Sequence, residues 1–255
     1  MSYSNGYIIG FATAVCVVCS VFVSGAAISL KPQQEKNALM DLQKNVISVS
    51  GLTTSEVTEA DVAKFFKEDE PNRIESGFID IKTGASVETT KAEEELAKKD
   101  ACLPLSSKEN IAKISCLPKY KKVYTIYKEN KVDRRILEVE GKGLWSTLQG
   151  FLAMSNDGST IQGLTFYKHG ETPGLGGEVD NPKWKELWVG EQAFNANKTP
   201  QIDIIKGTAP AGNTTDGKID GLSGATLTSN GVENLLNFWL GANGYGPYLQ
   251  KLGGK

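Results

Sequence analysis

Val123 to Gly170 reads VYTIYKENKVDRRILEVEGKGLWSTLQGFLAMSNDGSTIQGLTFYKHG, and this stretch decides the fold. Val123–Tyr127 and Arg135–Val139 are rich in β-branched and aromatic residues, with a polar turn between them, the signature of a hairpin. Gly141 to Trp145 interrupts with glycines. Thr147–Met154 and Thr160–Tyr167 then flank Asn156-Asp157-Gly158, a second hairpin with favourable turn residues. Beyond it come a glycine-rich loop (Pro173–Gly177), a short helix (Pro182–Trp188) and a late strand (Ile202–Ile205). Val232, Leu235, Leu236, Trp239 and Leu240 recur at helical spacing, and Gly241 is a natural stop. Antiparallel strands, glycine loops and a terminal helix predict an α+β domain over 123–255.

Upstream the texture changes. Tyr7 to Leu30 carries no charge and is rich in Val, Ile, Ala and Phe. As a helix it would span about 36 Å, enough to cross a hydrocarbon core of about 30 Å with some tilt. A cleaved signal peptide would want a basic start and a shorter apolar run, whereas Met1–Gly6 has no Lys or Arg. Val15 and Val18, not small residues, precede Cys16 and Cys19, which argues against a lipoprotein site. Residues 1–30 therefore read as a retained single anchor. Lys31 and Lys36 follow it and nothing basic precedes it, so charge alone points weakly away from export.

Residues 31–122 read as a membrane-proximal helical and loop region. Ala38, Leu39, Leu42, Val46 and Val49 predict a helix over Gln33–Val49 after Pro32. Val62–Phe66 suggests a short helix, Phe78–Ile81 a strand and Lys91–Asp100 a charged, solvent-facing helix. The formal net charge is −2 and the pI near 5.7. Apart from Lys119–Lys122, read as a solvated turn before a strand, no basic cluster argues for nucleic acid. One histidine and scattered cysteines give no zinc-type spacing. Cys16 and Cys19 lie in the apolar span. In an exported compartment, Cys102 and Cys116 could close a loop of about 15 residues, worth about 3 kcal/mol.

Three segments carry chemistry. Asp220-Gly221-Leu222-Ser223-Gly224-Ala225-Thr226-Leu227-Thr228-Ser229 sets small and hydroxyl residues before a helix that starts between Thr226 and Asn230. Asn230 with Glu233 resembles a capping box. Free backbone N–H groups and the helix dipole there favour a phosphate, so the segment is either an anion site or a capped turn. Ser223 lacks the Gly-x-Ser-x-Gly elbow of a nucleophile. Tyr167 to Gly177 places His169 at a strand end, as a general acid, a metal ligand or a structural hydrogen-bonder. The following glycine loop could supply backbone donors, with Leu175 as a shelf against a flat ring; no Walker Lys-Ser/Thr follows. In Gly141–Trp145, Trp145 is either core or neighbour to an aromatic cofactor.

The ordered set is more specific than its parts. A single anchor, Gly-x-Gly-Leu-Trp, His-x-Glu-Thr-Pro-Gly-Leu-Gly and Asp-Gly-x-Ser-Gly-Ala-Thr-x-Thr-Ser together resemble the C subunits of the sodium-pumping NADH:quinone oxidoreductases, over essentially the whole chain. Asn237-Phe-Trp-Leu-Gly and Gly246-Pro-Tyr-Leu fit the same family. The resemblance implies one FMN joined by a phosphoester to Thr226, with Ser223, Gly224 and Ala225 forming the attachment turn. Trp145, Glu171, Thr172, Leu175 and Gly176 would surround the flavin, and Asp220 would be read by a flavin transferase. No metal site and no catalytic side chain are expected. The protein would relay electrons within a six-subunit membrane complex, beside the FMN-bearing B subunit and the iron–sulfur-holding D and E subunits. Its soluble domain would lie on the periplasmic side of the bacterial inner membrane. After Trp188-Val189-Gly190, Glu191 stands where the family leads one to expect a lysine. Two alternatives are the related G subunit of the ferredoxin-linked electron-transport complex and a membrane-anchored assembly module without flavin.

Overall fold

The computed structural model describes residues 4–98, 102–207 and 216–253. Its chain divides into two compact units, Met1–Leu42 and Gln43–Lys255. Helix α1 (Asn5–Ser50) supplies the first unit and gives its last two turns to the second. The apolar stretch is long and uncharged enough to cross a membrane, and none of it is buried within the chain. The helix expected after Pro32 is the continuation of the same helix, with Pro32 inside it. A proline removes one intrahelical hydrogen bond, and the helical pattern resumes at once on its far side.

In the second unit the two expected hairpins are the centre of the sheet. β5 (Tyr120–Lys128), β6 (Lys131–Lys142), β7 (Thr147–Ser155) and β8 (Ile161–Lys168) follow one another antiparallel. Glu129 and Asn130 both adopt left-handed φ (50° and 62°), the requirement of a two-residue turn whose twist matches its strands. β1 (Arg73–Asp80) and β2 (Ser86–Val87) extend the sheet, giving the order β2-β1-β5-β6-β7-β8. The strand expected at Phe78–Ile81 is thus the far end of an eight-residue strand paired with β5 along its length. Lys119–Lys122 is a correction: Tyr120 to Lys122 open β5, and Lys121 lies with its ammonium 4.8 Å from the Trp239 ring centroid. Its long aliphatic stem lets it cover an aromatic surface that a shorter polar residue would leave wet.

Around this sheet sit α2 (Glu59–Phe65), α3 (Thr89–Leu96) and the small pair β3 (Cys102–Leu103) and β4 (Leu117–Pro118). The Cys102–Cys116 disulfide is formed and links the two ends of that pair. The end of the helix expected over Lys91–Asp100 lies partly outside the described residues. Toward the C-terminus come a 3-10 turn (Gly176–Asp180), α4 (Pro182–Glu186), the parallel pair β9 (Asp203–Ile205) and β10 (Lys218–Asp220), α5 (Thr226–Leu240) and α6 (Gly246–Leu252).

α5 fixes the site, and glycine lets it come close. A Cβ on Gly231 would lie 2.6 Å from the Lys142 carbonyl oxygen, and one on Gly141 would lie 2.8 Å from Leu235 Cβ. Helix and strand therefore meet almost backbone to backbone. Val232, Leu235, Leu236 and Trp239 are fully buried there, each contributing about 1.5–3 kcal/mol by burial. Trp239 Nε1–H donates to the Glu140 carbonyl (2.7 Å) and Tyr245 O–H to that of Glu138 (2.9 Å). Elsewhere on the sheet, Val46, Ile47 and Val49 from the end of α1 are buried, and Val49 fits over Gly163 of β8. Arg134 closes that end by donating to the Val49 carbonyl (3.3 Å).

The capping box expected at Asn230 and Glu233 does not form. α5 begins four residues earlier, and Glu233 instead accepts the backbone N–H of Ile204 (2.9 Å), tying β9 to the helix.

Candidate functional site

Thr226 is the first residue of α5 and is exposed, as are Ser223 and Gly224 just before it. Gly224 takes φ +71°, a conformation that favours glycine, and turns the chain into the helix. The first N–H groups of α5 have no intrahelical acceptor, no side chain caps them, and no acidic residue lies in the first turn. Negative charge placed there is stabilised by the dipole and the free donors together. A pocket of about 520 Å3 opens beside the turn, lined among others by Ile204, Lys206, Asp220, Ser223, Thr226 and Asn230.

The second motif hydroxyl is placed differently. Thr228 is fully buried and donates to Glu171 Oε2 (2.7 Å). The same oxygen accepts the N–H of Leu144 (3.2 Å), while Oε1 accepts those of Trp145 (3.0 Å) and Ser146 (3.1 Å). Glu171 is only 5% exposed. Burial pushes its carboxyl up, but the Thr228 hydroxyl and the three backbone donors outweigh it and hold the group below the ordinary carboxylate range. Two glycines make room: a Cβ on Gly143 would lie 2.6 Å from Glu171 Oε1, and one on Gly176 would lie 2.8 Å from Oε2 and 2.5 Å from Thr228 Oγ1. One carboxylate therefore joins the β6–β7 turn, the loop after β8 and the first turn of α5.

Three apolar side chains on these segments are exposed. Trp145 is 66% exposed, so it is not core. Leu175 is also exposed and overlies the Ser223–Thr226 turn, its Cδ2 3.1 Å from where a Gly224 Cβ would be. Leu227 is 61% exposed on the first turn of the helix. The sequence reading missed Leu227, because only its distance from the apolar face of α5 marks it. It also missed the Leu144 contact, Thr228 and Ser146, whose Oγ accepts the Gly170 N–H (2.6 Å).

The remaining expected residues are supporting ones. The Thr172 carbonyl accepts the N–H groups of Leu175 (3.1 Å) and Gly177 (2.9 Å), shaping the loop that carries Leu175. Ala225 is buried beneath the turn, and the Asp220 carbonyl accepts Trp184 Nε1–H (2.8 Å). His169 is a structural hydrogen-bonder: Nε2 lies 2.7 Å from Asp180 Oδ2 and Nδ1 accepts the Glu171 N–H (3.2 Å). No cluster of three metal-ligating side chains occurs among the described residues. Glu191 points inward, 6% exposed, and accepts the Gly217 N–H (2.9 Å). Burial and the nearby Asp216 push its carboxyl above the ordinary range, against the lowering effect of that one donor.

A helix N-terminus with an exposed hydroxyl, with Leu175 and Leu227 exposed beside it and Trp145 exposed on a turn tied to the same helix through Glu171, defines a domain suited to a flat ligand that carries a phosphate. A family model described as FMN-binding domain matches residues 143–241, which hold two of the three segments whole and Gly143–Trp145 of the other. The C subunit of the Na(+)-translocating NADH-quinone reductase from Pseudomonas aeruginosa is 44% identical over 250 residues, covering 94% of this chain and 93% of that protein. The corresponding Yersinia pestis protein is 40% identical, covering 93% and 89%. The crystal structure of Shewanella oneidensis NqrC superposes with a TM-score of 0.73 at 27% identity, covering 86% of this chain and 100% of that one. The chain belongs to the family formed by the C subunits of the Na(+)-translocating NADH-quinone reductases, and is thus a component of an enzyme complex.

Proposed function

We propose that this protein is the electron-relay subunit of a membrane Na(+)-translocating NADH-quinone reductase, carrying one FMN joined by a phosphoester to Thr226 Oγ1. The observation that carries the reading is the contrast between the two motif threonines: Thr226 is exposed at an uncapped helix start, whereas Thr228 is buried and bonded. The residues present fit the cofactor. The free N–H groups of α5 suit its phosphate, and Trp145, Leu175 and Leu227 offer apolar surface to its ring. When bound, FMN supplies chemistry that no side chain here has, accepting and returning electrons one at a time.

The chain's own work is positioning. Gly224 turns the backbone so that Thr226 leads the helix. Thr172 shapes the loop that brings Leu175 over the turn, and Gly176 lets that loop pack on Thr228. Glu171 ties the turn that carries Trp145 to the first turn of α5. Asp220, at the end of β10 and on the rim of the pocket, would be read by a flavin transferase.

α1 would anchor the chain in the membrane with the soluble domain on the periplasmic face, which the formed Cys102–Cys116 disulfide supports over the weak charge bias. Neighbouring centres on the B, D and E subunits of a six-subunit assembly would exchange electrons with it. The test is to produce the full chain together with a flavin transferase, denature it and look for flavin fluorescence in the gel. Wild type should give a fluorescent band whose adduct maps to the peptide containing Thr226, and Thr226→Ala should lose it. A colourless wild-type band, or a fluorescent Thr226→Ala band, would sink the assignment.

A further inference from the structure

Glu171 spends all its hydrogen-bonding capacity inside the protein. It accepts from Leu144, Trp145 and Ser146 on the β6–β7 turn and from Thr228 on α5. Four donors on one buried carboxylate is a strong arrangement, because hydrogen bonds to a charged acceptor are stronger than those between neutral groups. The close pass of Gly231 over Lys142 and Gly143 also joins these two segments, and it fixes distance but not the orientation of the turn. The turn that carries Trp145 is short and exposed, and such turns hold one geometry only when tied down.

We propose that Glu171 is the positioning residue of this site: its carboxylate ties the Trp145 turn to the first turn of α5, so that Trp145 and Thr226 are presented together. This deepens, and rests on, the reading of the surface as a flavin site. It assigns Glu171 a place behind the ligand, acting on it through Trp145. Thr228 is its partner on the helix, and the glycines at 143 and 176 exist to admit the carboxylate.

The charged groups nearby are few. His169 and Lys185 both lie against Asp180, and the His169 ring takes only the backbone N–H of Glu171. Lys142 reaches the Trp145 carbonyl (3.3 Å), Glu178 accepts from Asn181, and the first turn of α5 has no acidic residue. None of these touches the Glu171 carboxylate in the described contacts. The folded group is held below its ordinary range, so the tie is complete above the unfolded carboxyl value and is lost as pH falls through the depressed folded one.

The experiment compares wild type, Glu171→Gln and Thr228→Val as full chains in detergent, first without flavin. Amide exchange of residues 143–147 is followed by mass spectrometry against pH, corrected for intrinsic rates. In Glu171→Gln, exchange there should rise roughly tenfold or more while β7 stays protected. Thr228→Val, which removes one donor of four, should fall between. Wild type should lose the same protection only at pH below the ordinary carboxylate range, and Glu171→Gln should show no such step. Unchanged exchange at 143–147 in Glu171→Gln, or a wild-type acid step that persists in it, overturns the proposal.

A second arm uses chains matured with the transferase. Glu171→Gln should keep its fluorescent band on the denaturing gel, but its native flavin fluorescence should rise several-fold as Trp145 ceases to quench it. A native signal equal to wild type overturns the positioning role. A wild-type chain without the gel band overturns the flavin reading instead, so the two failures are distinct.

Discussion

Glu171 and Glu191 are both buried, yet their surroundings push them in opposite directions. Glu171 meets four donors and is held low; Glu191 meets one and is driven up by burial and by Asp216. The folded carboxyl of Glu191 binds a proton more readily than the unfolded one, whose value is about 4.3. Between those two values the folded state holds more protons, so wild-type stability falls as pH rises through the window. Glu191→Gln removes that term. Its urea midpoint should rise relative to wild type between pH 4 and pH 7; a difference that stays constant across that range would refute the burial argument. Neither environment was legible in the sequence. Glu171 could be read as part of a motif and Glu191 as a departure from one, but the direction a side chain points depends on long-range packing. The exposure of Trp145 was likewise open, because a tryptophan after a glycine turn suits a core as well as a surface.

Among the elements, those with strong local patterns were read closely. The hairpins β5–β6 and β7–β8 came from alternation and turn residues, and α5 from its apolar period. The start of α5 was bracketed, yet its cap was misread: Asn230 and Glu233 have the spacing of a capping box, but Glu233 is claimed by β9, a contact between segments distant in sequence. β1 was seen at one end only. Arg73 to Gly77 carry little strand propensity, and their pairing with β5 is what makes them a strand. β9 was read as the late strand Ile202–Ile205, whereas its three-residue parallel partner β10 is too short to leave a clear period. The contact most exposed to test is the crossing of α5 over β6. Gly231→Ala would force a methyl against the Lys142 carbonyl, which should cost about 1–3 kcal/mol in urea unfolding. A variant within about 0.3 kcal/mol of wild type would mean that helix and strand separate easily.

At the scale of the molecule, the long apolar helix, the α+β domain and the family were all visible from residue order. What the sequence hid was where the folded domain begins. The change of texture near residue 30 marks the end of the apolar run, whereas the compact second unit starts at Gln43, inside α1. Val46, Ile47 and Val49 belong to the domain's interior. A chain starting at Gln33 should therefore fold to a sharp urea transition. One starting at Gly51 loses those three side chains, each worth about 1.5–3 kcal/mol, and should melt at markedly lower urea or fail to stay soluble. Equal midpoints for the two would show that the helix end is dispensable. The same feature bears on proteolysis. A protease that nicked the chain after Ser50 would strip the domain of part of its own interior, so the intact domain can part from the apolar helix only through a cut inside α1, where the backbone is hydrogen-bonded and a poor substrate.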